Sequence, residues 1–174
     1  MAKRDNHYEA AFEAYLRMRK IPYVAVNEAR RSQLADRSIK SLDFIVSCPG
    51  QPSWLIDVKG RLFPGGKQKR YWTNWSTRDD LRGMSAWERL FGGSAQALFV
   101  FAYQVVGDRS PLPQEQLFEF RGQWYAFIGI RSQDYACTAR PISQSWDTVS
   151  IRSTEFRSIA RPVDELFSTP VLVG

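Results

Sequence analysis

Asp57 and Lys59 stand two residues apart in Ser53–Lys59, where Trp54, Leu55, Ile56 and Val58 make an apolar, strand-like run. Side chains in a strand alternate between faces, so Leu55, Asp57 and Lys59 share one face while Trp54, Ile56 and Val58 share the other. An acid and an amine buried in such surroundings are costly unless they pair or bind a metal. A second acid, Asp43, leads another apolar run, Leu42-Asp43-Phe44-Ile45-Val46. Two carboxylates on adjacent strands, joined by a third from a helix packed nearby, present the hard oxygens that Mg²⁺ or Mn²⁺ prefer. A divalent ion held there would lower the pKa of a bound water and neutralise charge on a phosphate under attack. Lys59 beside it would stabilise the developing negative charge or take a proton from that water. The plainer alternative is a salt bridge within a hairpin.

The elements that must position these groups follow from periodicity and turn chemistry. From Asp5 to Lys20, Tyr8, Ala11, Phe12, Tyr15, Met18 and Arg19 recur at helical spacing, with Asp5 or Asn6 as the cap. Glu9 and Glu13 share one face of that helix, so either is a candidate third ligand. Ile21-Pro22 stops it and Tyr23–Val26 reads as a short strand. The polar stretch 27–40 reads as a loop or a short turn of helix. Strands at Leu42–Cys48 and Ser53–Lys59 form a hairpin about Pro49-Gly50-Gln51-Pro52.

Beyond Gly60, Arg61–Thr77 has no period. A second helix is expected over Asp79–Phe91, capped by Thr77 or Asp79 and ended by Gly92-Gly93. The nearly continuous apolar run Ala95–Val106 is that of a strand buried on both faces. A C-terminal hairpin is expected at Leu117–Phe120 and Gln123–Ile130, turning at Arg121-Gly122, followed by a strand at Thr148–Ile151 and a short helix near Val163–Phe167.

The 24 basic and 18 acidic side chains are unevenly placed: residues 1–91 hold 17 basic and 10 acidic groups, a net +7, while residues 92–174 hold 7 and 8. A positive field confined to one half suggests a polyanionic partner, nucleic acid above all, although a solvated basic surface would have the same composition. Lys67, Lys69 and Arg70 are followed by Tyr71, Trp72 and Trp75, and preceded by Arg61. Cations neutralise phosphates and flat rings stack on bases, so this segment is the expected nucleic-acid contact, with at least one tryptophan reserved for the core. His7, the sole histidine, is expected to pack or cap rather than to touch substrate. Cys48 and Cys137 match no zinc or redox spacing and are expected as reduced thiols. No 18-residue apolar run exists and the N-terminus is polar, so a cytoplasmic protein without a membrane anchor is expected. A length of 174 residues suits a single domain.

Leu42-Asp43, then Asp57-Val58-Lys59, behind a glutamate-bearing helix and ahead of a helix and a buried strand, resembles the PD-(D/E)xK nuclease and resolvase superfamily over about residues 5–106. Leu42 stands where the motif has proline. The resemblance implies a restriction-endonuclease-like α/β (α+β) core, a mixed central sheet flanked by helices, with residues 107–174 adding the β hairpin and the terminal helix. It further implies Asp43 and Asp57 as metal ligands, a Val58 carbonyl as an added ligand, Glu9 or Glu13 completing the shell with Glu9 preferred, and Lys59 positioning or activating the water. His7-Tyr8-Glu9-Ala10-Ala11-Phe12-Glu13 also resembles the signature of a bacterial family named for H-Y-E-x-A-F-E, a name that implies no activity.

The function so expected is metal-dependent hydrolysis of phosphodiester bonds, with DNA the favoured substrate. Two other readings compete with it. One is a non-catalytic nucleic-acid-binding module on the same fold. The other is a protein-interaction domain whose neutral, aromatic C-terminal half could bury a homodimer interface.

Overall fold

The computed structural model describes residues 6–26, 42–145 and 147–168. The expected loop over 27–40 lies outside them. Helix α1 (His7–Met18) starts where the Asn6 side chain accepts the Tyr8 amide at 3.0 Å, and its buried stripe is Ala11, Phe12, Tyr15 and Leu16. Strand β1 (Tyr23–Ala25) pairs antiparallel with β2 (Phe44–Val46), which pairs antiparallel with β3 (Ser53–Phe63) in the register Phe44↔Ile56. The β2–β3 turn uses Gly50 at φ +71°, a conformation that suits glycine.

Strand β3 runs four residues past the expected end at Lys59, because it pairs parallel with β5 (Ala95–Val105) all the way from Ser53↔Ala95 to Phe63↔Val105. A short strand β4 (Ser76–Thr77) and helix α2 (Arg78–Phe91) cross between them. Thr77 caps α2 in a capping box with Asp80, which makes Thr77 rather than Asp79 the cap. Glu88 pins the far end of α2 by accepting the Ala97 amide at 2.7 Å and the Gln133 side-chain amide at 2.9 Å.

The remaining elements complete the same sheet and cover it. Strand β7 (Gln123–Arg131) pairs antiparallel with β5, and its other edge carries β6 (Phe118–Phe120) and β10 (Arg161–Pro162). Among the described residues the sheet order is β1-β2-β3-β5-β7-β10, seven strands with β6, and β3–β5 is the one parallel pair. A three-stranded sheet joins β4, β9 (Thr148–Ser150) and β8 (Arg140–Ser143). Helices α3 (Ser132–Thr138) and α4 (Ser153–Ile159) were not expected from the sequence, while the terminal helix α5 (Val163–Ser168) was.

The central strands are buried on both faces. Helices α1 and α5 cover Trp54, Ile56, Val58, Leu98, Val100 and Ala102. On the opposite face, Met84 of α2, Tyr135 of α3 and Phe156 of α4 pack with Leu55, Phe63, Phe99, Phe101 and Tyr103. The architecture is therefore a mixed sheet flanked by helices. Among the described residues no helix is long and apolar enough to cross a membrane.

Candidate active site

Asp43 is a bend residue just before β2, and its carboxylate meets the backbone of β3. Carrying the β2–β3 register one step further sets Asp43 opposite Asp57. The Asp43 amide bonds instead to the Ile56 carbonyl at 2.9 Å, and the Asp43 Oδ2 accepts the Val58 amide at 2.7 Å. A side-chain oxygen thus takes the donor that a continued strand would have met with a backbone carbonyl. Asp43 is only 7% exposed, and this bond fixes its orientation.

Asp57 and Lys59 share the face covered by α2, as the strand alternation requires. Lys59 Nζ lies 3.1 Å from Asp57 Oδ2 and 2.8 Å from Asp80 Oδ2, and 5.2 Å from the centre of the Phe99 ring. Asp80, 4% exposed, also accepts Ser76 Oγ at 3.0 Å and the Thr77 amide at 3.2 Å. One buried carboxylate therefore caps α2 and holds the lysine at once. Sequence reasoning passed over Asp80, which there reads as one of two acids in a helix's first turn; only the β3–α2 packing joins it to Lys59, 21 residues away.

Two residues beyond Lys59 the same strand face carries Arg61. Its guanidinium donates to the Gly60 carbonyl at 2.7 Å and to the Trp75 carbonyl, and lies 4.0 Å from the centre of the Trp75 ring. Burial pulls its pKa below the ordinary arginine value, against the pull of Tyr103, Tyr135, Asp57 and Tyr8. Trp75 is well exposed. Trp72 is not: it packs edge-on to Phe63 and Tyr103 and tilted against Phe156, so it is the core tryptophan of the pair. Tyr71 packs edge-on to Phe63.

Asn74 anchors this segment through paired bonds with the Ile151 backbone at 2.9 and 2.8 Å, and the hydroxyls of Tyr103 and Tyr135 bond the carbonyls of Thr73 and Asn74. Lys67, Lys69 and Arg70 sit exposed on a loop closed by the Gly65↔Arg70 bridge.

The α1 glutamates are engaged locally. Glu9 accepts the Asn6 side-chain amide at 3.2 Å, and Glu13 accepts Arg17 at 3.2 Å and the Tyr23 hydroxyl at 2.9 Å. His7 bonds the Tyr125 hydroxyl at 2.9 Å and stacks near Tyr8, the packing role expected of it. Both cysteines are free thiols, Cys48 buried with its pKa raised by desolvation and Cys137 exposed.

Among the described residues no three of His, Cys, Asp and Glu gather closely enough to hold a metal. Asp43 bonds the Val58 amide and Asp57 the Lys59 ammonium, so two carboxylates engage β3 over Asp57–Lys59. Mg²⁺ is commonly bound by one or two carboxylates with the rest of its shell from water and phosphate oxygens, so this donor set fits such an ion and does not fit an all-protein cage.

No family model matches the chain, and no curated protein matches it in sequence. Among solved structures it is similar to Hjc, a Holliday junction resolvase from the archaeal hyperthermophile Archaeoglobus fulgidus, with a TM-score of 0.56 at 12% identity over 93% of this chain and 98% of that one. At that identity the likeness is one of fold, and it carries the resolvase-type, restriction-endonuclease-like architecture expected from the motif order. The H-Y-E-x-A-F-E likeness of His7–Glu13 remains a resemblance.

Proposed function

We propose that the chain is a nuclease that hydrolyses phosphodiester bonds in DNA with Mg²⁺ or Mn²⁺. What supports this reading is the Asp43 carboxylate on the Val58 amide, between Asp57 and a Lys59 held by Asp57 and Asp80, on a resolvase-like fold. Asp43 and Asp57 would hold the ion, with the Val58 carbonyl and Glu9 or Glu13 as further ligands. When bound, the ion supplies a water of lowered pKa and charge neutralisation at the phosphate.

The chain's own part is orientation. The Val58 amide aims Asp43, and the Asp57 and Asp80 carboxylates fix the Lys59 ammonium on the strand face where the scissile phosphate would lie. From there Lys59 stabilises the negative charge that grows on the phosphoryl oxygens. Lys67, Lys69 and Arg70 hold neighbouring phosphates and contribute a salt-sensitive, sequence-independent affinity.

A second reading rests on the same ion pairs. Lys59 bridging two carboxylates is also a complete structural network, and a DNA-binding module without hydrolysis would need nothing more. Incubating the protein with plasmid, branched and single-stranded DNA, with each metal and with chelator, separates the two. Metal-dependent cutting is expected of the nuclease; binding without cutting of any substrate leaves the module.

A further inference from the structure

We infer that the groove beside Gly60 takes one unpaired nucleotide of the DNA, with its base stacked on Trp75. This rests on the reading of the chain as a DNA nuclease and names the substrate feature it engages. Strand β2 leaves β3 after the Phe44↔Ile56 pair, whereas β3 continues to Phe63 with β5 alone on its other side. Among the described residues, the edge of β3 at Gly60–Leu62 therefore borders a groove of about 400 Å³, walled by Tyr8, Arg61, Arg70, Thr73 and Trp75. That volume lies in the lower part of the ~300–1,000 Å³ range of small-ligand sites, the scale of a single nucleotide.

The walls suit a base and its phosphate. Trp75 is 44% exposed although its neighbour Asn74 is bonded into the core, so the indole is a fixed platform. The Arg61 guanidinium, 4.0 Å from the ring centre, backs it, and the Arg61 Nε is buried with no hydrogen-bond partner among the described residues. Arg61 and Arg70 supply positive charge for a phosphate. Opposite them the Tyr8 ring lies on the backbone of Gly60, where a Cβ would come within 2.0 Å of it. Gly60 and Arg61 follow Lys59 by one and two residues, about 3–7 Å along the strand. A nucleotide in this groove would neighbour the phosphate that Lys59 faces. Bases inside a duplex have both faces covered by their neighbours, so only an unpaired one offers a face to the indole.

The test measures binding in chelator, so that it is independent of cutting. Three duplexes are compared by anisotropy: fully paired, with a one-nucleotide bulge, and with an abasic bulge that keeps the sugar and phosphate. The parent should bind the base-bearing bulge about tenfold more tightly than the abasic one, the usual scale of base–aromatic stacking. Trp75→Ala should erase that ratio and Trp75→Phe should keep most of it. Equal affinity of the parent for the two bulges overturns the inference, a result that needs no variant to fold, and so does an undiminished ratio in Trp75→Ala. Either outcome leaves metal-dependent cutting of paired DNA untouched, whereas failure to bind any DNA removes both readings.

Discussion

Removing the Asp80 carboxylate tests whether the lysine is held from α2. Asp80 takes Lys59 at 2.8 Å, Ser76 at 3.0 Å and the Thr77 amide at 3.2 Å. The side chains of Lys59 and Asp80 are 11% and 4% exposed, so solvent screens this pair little. Breaking a buried pair costs ~3–5 kcal/mol, and losing part of a capping box about 1 kcal/mol more. Lys59 keeps Asp57 at 3.1 Å, which places Asp80→Ala near the lower end, about 3–4 kcal/mol. At ~2–4 °C per kcal/mol for a chain of this size, its melting midpoint should fall by roughly 6–16 °C. Asp80→Asn keeps an acceptor for Ser76 and Thr77 and should lose about half as much. Thermal melts at low and high salt provide the assay, and the loss should persist at high salt because the pair is buried. An Asp80→Ala midpoint within a degree of the parent, or a loss that vanishes in salt, would refute this reasoning.

Gly60→Ala should destabilise by about 1–3 kcal/mol, because its Cβ would enter the Tyr8 ring; a urea midpoint equal to the parent's would contradict that packing. Replacing Lys67, Lys69 and Arg70 together with Ala should weaken binding across DNA sequences and reduce the slope of log affinity against log salt by about 1–3, while an unchanged slope would put the contact surface elsewhere. Burial raises the hydroxyl pKa values of Tyr15, Tyr103 and Tyr135, with an Asp164 hydrogen bond adding to the effect at Tyr15. A folded pKa above the unfolded value of ~10 gives stability that is complete below that pH and is lost as pH rises beyond it. Denaturant midpoints should therefore hold up to about pH 10 and drop above it, and a midpoint insensitive to alkali would count against those buried hydroxyls.

Much of the scaffold could be read from local chemistry. Pro49 and Gly50 marked the hairpin, Thr77 and Gly92-Gly93 marked the ends of α2, and the run from Ala95 marked a strand whose alternate residues do enter two separate cores. Arg121 and Gly122, both at positive φ, turn the C-terminal hairpin where the sequence placed it. The misses have physical causes. Helix α3 buries only Ser132 and Tyr135 and helix α4 only Phe156, too few apolar positions to show a period. Strand β3 outran its expected end because Gly60 reads as a terminator, whereas here its missing side chain makes room for Tyr8.

At the candidate site, the strand alternation correctly put Asp57 and Lys59 on one face. What alternation cannot supply is a contact across elements: Asp80 reaches Lys59 through tertiary packing, and Trp72 and Trp75 differ in burial though they differ little in sequence context.

The measurement closest to the central claim is the cleavage rate of Lys59→Ala beside that of the parent, with Mg²⁺ and with Mn²⁺, on a DNA the parent cuts. Lys59 is assigned to charge that develops in the transition state, so the rate should fall by about 100-fold or more while DNA affinity stays near the parent's. A parent that cuts no DNA with either metal, or a Lys59→Ala variant that cuts as fast as the parent, would contradict the assignment.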